Sequence, residues 1–308
     1  MTTQPSPLKA VYSYYFPEVR KLVEQVFEPY PHDVFLKSIN PGLDDFHLQT
    51  IEYYKQYHAS QVTGLDGYDN SYYCNGWSEA IFHVLAYIMA YYPHTSLYTI
   101  PWEYEWYEAY GRNLGLEFEV HTLENLLSAR PGIIFISNPN ASDGAIIPND
   151  IIMKLCNHGH KIVYDITYVW LTSPQLFDVT HPNILAVIAS LSKPFGVYYH
   201  RIGFCFSRIP IMTLAPNKWF KNINSLLIAN KLLTSIKPGQ LYEKYKPYQD
   251  KAIHTLSQQI GTDISASNIL LLGVHKGVLP KKYDTYNRWP NHRFCLTPYF
   301  LAQETSTS

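Results

Sequence analysis

Cysteine is scarce and scattered in this chain. Cys74, Cys156, Cys205 and Cys295 are widely spaced and form no Cys-x-x-Cys pair, so neither a disulfide framework nor a zinc knuckle is expected. An excess of one charge is also lacking: 24 Lys plus Arg stand against 25 Asp plus Glu. That balance offers nothing to nucleic acid or to an anionic membrane surface. Long apolar runs are absent too. The longest, Ala80 to Tyr92, is interrupted by His83; it is too short to span a bilayer and reads as a buried helix. Met1 to Lys9 carries no apolar stretch behind a basic start, so no secretion signal is expected and a cytoplasmic setting follows. No internal repeat is visible, and only the short polar ends are of low complexity.

What is present is material for a core. Hydrophobic residues make up 46% of the 308 residues and charged residues 16%, which excludes a disordered chain. The length suits about two domains. The 21 prolines and 27 tyrosines suit a well-punctuated globular protein better than a long-helix one.

Strand-like and helix-like pieces alternate from about residue 70 to 210. Leu97–Ile100, Glu117–Val120, Ile133–Ser137, Lys161–Tyr164, Leu185–Ala189 and Gly203–Ser207 read as strands. Several are continuous Ile, Val and Phe runs, as in strands buried on both faces. Glu79–Tyr92, Glu103–Leu114 and Asn149–Asn157 read as helices between them. The expected fold class is therefore α/β, with a mostly parallel sheet flanked by helices. Before it, Ala10–Phe27 and Phe46–His58 look helical, separated by the turn signal Asn40-Pro41-Gly42. After it, Lys218–Ile236 and Leu241–Ile260 look helical, and Asn268–Val274 and Arg293–Thr297 look like short strands. The expected division is an N-terminal segment (1–45), a large domain (46–210) and a smaller α+β C-terminal domain (211–308).

Four features then follow in order. Asn75-Gly76-Trp77-Ser78-Glu79 leads into the apolar helix; a helix start offers free backbone N–H groups and a positive dipole end, a ready phosphate cradle, although an ordinary cap explains it as well. Ile133–Ser137 ends in Asn138-Pro139-Asn140-Ala141-Ser142-Asp143-Gly144, and ligands of open α/β sheets gather at the carboxyl ends of strands. Asp165 falls at the end of the strand Lys161–Tyr164, with Tyr168 three residues on; a carboxylate there needs a cationic partner, or else serves as a helix cap. Finally Ser190-Leu191-Ser192-Lys193 is followed by His200-Arg201-Ile202-Gly203. A lysine just past a buried strand suits imine chemistry, and Ser190, Ser192 and Arg201 suit a phosphate dianion. Tyr72, Tyr73, Tyr198 and Tyr199 flank this set. Cys156, His158 and His160 offer three metal-type side chains without a fourth, and Gly159 as a helix cap explains that stretch better.

Taken together, these residues resemble the pyridoxal-phosphate enzymes of fold type I, specifically the class I/II aminotransferase group. The pattern Ser-x-Ser-Lys-x7-Arg-x-Gly is met at Ser190, Ser192, Lys193, Arg201 and Gly203. Asp165-x-x-Tyr168 lies 28 residues before the lysine (193 minus 165). Asn138-Pro139-Asn140 with Gly144 resembles the group's Asn-Pro-Asn-Asn-Pro-Thr-Gly turn. Pro101 with Tyr104 and Tyr107 resembles the segment that stacks on the cofactor ring, and Arg293-Phe294-Cys295-Leu296-Thr297 resembles the late strand that grips a carboxylate. The likeness runs from roughly Thr50 to the end.

It implies pyridoxal 5′-phosphate as cofactor, joined to Lys193 as a Schiff base. Asp165 would pair with the ring nitrogen and Tyr168 with the ring hydroxyl. Gly76, Trp77, Ser78, Ser190, Ser192 and Arg201 would hold the phosphate, Tyr104 (or Trp102) would stack on the ring, and Arg293 would bind the substrate carboxylate. The implied activity is transfer of an amino group from an amino acid to a keto acid, the alternative being a lyase, decarboxylase or cyclase at the same site. A homodimer is implied as well. The sequence departs from the group at Ala141, where Asn is usual, leaving Asn138 or Asn140 to replace it. It departs again at Asn40, where a tyrosine often reaches across the dimer, and in a C-terminal domain expected to be trimmed.

Overall fold

The computed structural model describes residues 5–29 and 41–305; Asn40 lies outside them. A seven-stranded sheet forms the centre. In chain order its strands are β1 (Asn70–Cys74), β2 (Leu97–Thr99), β3 (Phe118–Val120), β4 (Ile133–Ser137), β5 (Lys161–Asp165), β6 (Ile184–Ser190) and β7 (Gly203–Ser207). Across the sheet they lie β1-β7-β6-β5-β4-β2-β3. Pairing is parallel from β3 through β6, and β7 runs antiparallel to both β6 and β1.

The alternation read from the sequence explains this arrangement. Parallel neighbours need long crossovers, which helices supply, and those helices cover both faces of the sheet. Every residue of β4 and of β6 is buried. Successive side chains divide between two cores: Ile133 and Phe135 meet Ile81, Val84, Leu85 and Ile88 of the helix Trp77–Tyr91. Ile134 and Ile136 face the opposite core with Tyr54, Trp170 and Val187. The helix Phe46–His58 turns Tyr54 and Tyr57 inward, Tyr54 lying 4.3 Å from Phe204 and Tyr57 4.8 Å from Trp170 between ring centroids.

The C-terminal part adds an antiparallel sheet of β8 (Ser265–Ala266), β9 (Leu272–Lys276), β10 (Asn287–Arg288) and β11 (Asn291–Cys295), in the order β8-β9-β11-β10. β9 begins four residues after, and β11 two residues before, the point where the apolar pattern put them. Among the described residues no helix is long and apolar enough to cross a membrane.

Three differences from expectation bear on the site. The first helix starts at Pro17 rather than near Ala10, because a proline suits the first helical position and disfavours helical backbone in the residue before it. Phe16 is accordingly extended (φ −56°, ψ 138°). The freed stretch runs along β11, Leu8 and Cys295 exchanging backbone hydrogen bonds of 3.2 and 3.0 Å. The helix expected from Glu103 starts at Trp106, leaving Glu103 and Tyr104 on a turn. β1, whose first three residues are only half-buried, lacks the apolar run that marks the other strands and was not expected.

Gly196 sits where the N-terminal stretch passes the loop after β6. Its φ is +74°, and a Cβ there would lie 2.1 Å from the Tyr14 carbonyl oxygen. Gly196→Ala is therefore expected to destabilise the fold by more than about 1 kcal/mol, since alanine tolerates neither the positive φ nor the contact. Urea unfolding checks this; an unchanged midpoint would show that the stretch does not pack there.

Candidate active site

The chemistry-bearing residues gather at the carboxyl edge of the central strands. Ser137 ends β4, Asp165 ends β5 and Ser190 ends β6. The helix Trp77–Tyr91 begins just after β1. These four ends are brought side by side by the strand order, which the sequence spacing alone did not determine.

Asp165 is 5% exposed. Its Oδ1 accepts the Thr167 N–H at 2.8 Å, and its Oδ2 accepts the Tyr107 hydroxyl at 3.0 Å and the Trp77 indole N–H. Burial pushes its pKa above the ordinary carboxylate value, and those donors oppose the rise. Neither a cationic partner nor a helix cap accounts for the carboxylate; a ring of three donors does.

Lys193 follows β6 by three residues, and its amine donates to the Val11 carbonyl of the N-terminal stretch. It lies 5.8 Å from the Tyr198 ring centroid. Burial, helped by the Arg293 guanidinium, lowers its pKa from 10.5 to about 8. Desolvation favours the neutral amine, the nucleophilic form.

The phosphate-type residues converge at the helix start. Arg201 donates to Ser78 Oγ at 2.7 Å. Gly76 has φ +91°, and a Cβ there would lie 2.4 Å from the Arg201 guanidinium. Glu79 accepts from the Asn75 backbone N–H at 2.5 Å and from Asn217 at 2.9 Å, which ties the chain down just before the helix. Ser192 Oγ is buried with no partner. Ser190 is spent within its own turn, donating to the Ile202 carbonyl at 3.1 Å and accepting from Ser192 N–H at 3.0 Å.

Asn138 and Asn140 are also committed locally. Asn138 donates to the Ile147 carbonyl and accepts from the Ile147 N–H at 2.8 and 2.9 Å, and donates to the Tyr164 hydroxyl at 2.6 Å. Asn140 Oδ1 accepts the Ser142 N–H at 2.6 Å. Both brace the turn after β4. Tyr104 meets the Trp77 indole edge-on, with 4.4 Å between centroids. Trp102 instead donates to the Trp289 carbonyl at 2.9 Å, away from Asp165.

Arg293 reaches in from β11. It is 9% exposed, donates to the carbonyls of Ala141 and Lys9, and leaves Nε buried without a partner. Burial pushes the pKa of Tyr168 up, the Arg293 guanidinium opposing the rise and the Asp165 carboxylate adding to it. The histidines of Cys156-Asn157-His158-Gly159-His160 bond backbone carbonyls, His158 to Ala129 and His160 to Leu126. Gly159, at φ +102°, follows the helix Asn149–Asn157.

Two site residues escaped the sequence reading. Tyr107 was recognised as part of a segment, not as a donor to Asp165; a partner 58 residues further along the chain leaves no local signal. Glu103 accepts from Ser137 Oγ and N at 2.5 and 3.1 Å and from Tyr104 N at 3.1 Å. Burial raises its pKa to about 7. An acid directly before Tyr104 was the only hint.

A family model described as Aminotransferase class I and II matches residues 41–232. Histidinol-phosphate aminotransferase 1 of Nostoc sp. is 26% identical over 145 residues, which is 45% of this chain and 40% of that relative. The chain thus matches less than half the length of this curated relative. Among solved structures, the histidinol-phosphate aminotransferase of Clostridium acetobutylicum superposes with a TM-score of 0.71 at 15% identity, covering 97% of this chain and 98% of that one. The PLP-bound C-S lyase of Staphylococcus hominis gives 0.70 at 8% identity, covering 97% and 90%. The fold is theirs: a mostly parallel sheet flanked by helices, with a small antiparallel sheet C-terminal to it.

The residues present fit the pyridoxal 5′-phosphate that this family implies. A buried amine with a lowered pKa, an unpartnered buried hydroxyl at Ser192 and a helix start kept open by Gly76 against Arg201 are the features such a group requires. In chain freed of cofactor, acetylation of Lys193 followed by peptide mass spectrometry should rise to half its maximum near pH 8. Exposed lysines should follow only near their ordinary value, about 10.4. A Lys193 midpoint at that ordinary value would show that its amine is not buried.

Proposed function

Because the chain belongs to the aminotransferase class I and II family, we propose that it transfers the amino group of an amino acid to a keto acid, with pyridoxal 5′-phosphate held at Lys193. The observation that carries this reading is the pairing of a buried amine of lowered pKa with a buried, donor-ringed carboxylate at the ends of adjacent strands. Pyridoxal phosphate, when bound, supplies an aldehyde that condenses with amines and a ring that draws electrons from bonds at the substrate α-carbon.

The chain's own residues then have distinct tasks. Lys193, with a pKa of about 8, holds a substantial neutral fraction at neutral pH, so it serves as nucleophile and, once released, as the base that moves the α-proton. The Thr167 and Tyr107 donors favour the charged form of Asp165 against the burial that raises its pKa, which suits it to face a protonated ring nitrogen. Arg201, Ser78 and Ser192, with the N–H groups of the helix start, receive the phosphate. Tyr168 faces the ring hydroxyl, and Arg293 takes the substrate carboxylate, its Nε being an unspent donor. The N-terminal stretch closes the site over Lys193 through Val11 and over Arg293 through Lys9.

A homodimer is part of the proposal. Trp102, Tyr104, Trp106, Tyr198, Tyr199 and Trp289 are exposed, apolar surface that a second copy would cover.

Lys193→Ala is expected to lower turnover of amino acids by a factor of at least about 10² to 10⁴, the scale of a lost general base. Asp165→Ala should lose α-proton exchange while still taking up cofactor. Wild-type turnover in the first variant would overturn the role of Lys193, and wild-type exchange in the second that of Asp165. In a single turnover, keto acid release with conversion of the cofactor to its amine form is expected. Release of carbon dioxide or a side-chain fragment would instead assign a decarboxylase or lyase.

A further inference from the structure

Trp77 is the residue at this site whose side chain the proposed chemistry leaves unused. Its backbone opens the phosphate-side helix, yet its indole turns to the acid and donates to Asp165 Oδ2. The same indole meets the Tyr104 ring at 4.4 Å and 79°, and the Tyr107 ring at 5.8 Å. It therefore touches both the carboxylate assigned to a cofactor ring in the proposed function and the tyrosine that the family resemblance would stack on that ring. A planar ring whose N–H donates to Asp165 and which lies against Tyr104 describes a protonated pyridine as well as this indole.

The two cannot share Oδ2 of Asp165, the oxygen that the indole holds beside Tyr104. Oδ1 accepts from Thr167 N–H, whereas Oδ2 already accepts from both Tyr107 and Trp77. A carboxylate oxygen offers two lone pairs, so a third donor at Oδ2 requires one of the two to leave. Tyr107 is 1% exposed and locked in the core beneath β4. Trp77 is only half-buried and borders Tyr104, which is itself exposed. The indole is the donor with somewhere to go.

We propose that the Trp77 indole and the cofactor ring compete for Asp165, so that the cofactor enters by displacing an indole that otherwise keeps the buried acid paired; this rests on reading the site as a pyridoxal-phosphate site. The exchange is conservative in hydrogen bonds. One aromatic N–H replaces another, and the carboxylate is never left buried and unmatched, a state that is costly in a low-dielectric setting. A ligand that carries no donor at the ring nitrogen gains no such exchange, so Trp77 also selects for a protonated ring.

The test follows pyridoxal phosphate binding to the full-length, cofactor-freed chain by the visible absorbance of the bound cofactor. In wild type the observed rate should level off as cofactor concentration rises, the ceiling being the rate at which the indole leaves. Trp77→Ala should bind at least about tenfold faster with a rate linear in concentration, the scale of one hydrogen bond to a charged group. Trp77→Phe, which retains a ring and loses the donor, should also be faster and stands in where the alanine variant fails to fold. A second readout is the indole ¹H–¹⁵N spectrum of the six tryptophans. The resonance missing in Trp77→Phe should be shielded from exchange in the free chain and should lose that protection when cofactor binds. Equal, linear rates in wild type and variants, or a Trp77 indole proton still protected in the loaded chain, would overturn the competition alone. Absence of the absorbance in wild type and both variants would overturn the cofactor reading, and the competition with it.

Discussion

A carboxylate closed off from water at the end of a central strand constrains everything around it. Asp165 stays compatible with burial only because three donors meet it, from Thr167, Tyr107 and Trp77. Those donors sit on the turn after β5, on the helix Trp106–Asn113 and at the start of the helix Trp77–Tyr91. Their convergence requires β5 in the middle of the sheet, with the connections from β1 and β2 emerging at its carboxyl edge. A shuffled strand order with the same strands would strip away the Tyr107 and Trp77 donors and leave the buried acid with the local Thr167 N–H alone, a costly state.

Close backbone approaches make the rest of the site possible. A Cβ on Gly203 would lie 2.6 Å from the Gly76 carbonyl carbon, so the start of β7 and the helix start touch backbone to backbone. That contact aligns Arg201 with Ser78. Gly196 plays the same part for the N-terminal stretch, which runs from β11 past the Lys193 loop. The amine of Lys193 is thereby desolvated by a segment some 180 residues earlier in the chain. Burial, not a neighbouring acid, sets its pKa, and the nearby Arg293 acts in the same direction.

Much of the candidate site is legible in the sequence. The step from Lys193 to Arg201 spans one loop and one turn between two buried strands, so its geometry is local, and spacing captures local geometry. Asp165 was readable for the same reason, as the last residue of an apolar run. The Asn138–Gly144 turn was recognised, but the use of its side chains was not. Asn138 and Asn140 bond to Ile147 and Ser142, and short polar side chains in turns commonly prefer their own backbone. Trp77 was read through its backbone position, whereas its side chain reaches a residue 88 positions on.

By itself the sequence determined the elements and their periods. Continuous Ile, Val and Phe runs suit strands buried on both faces, Pro17 suits the first position of a helix, and glycines at positions 76 and 196 permit backbone that other residues resist. The tertiary structure alone decided which side chains from distant elements share one place: the indole against the acid, the amine against the Val11 carbonyl, and Arg293 against the turn after β4. The physical reason is that local conformation depends on neighbours along the chain. The pairing of buried polar groups depends on which strand ends the sheet order sets side by side, and that order is settled by the packing of the whole core.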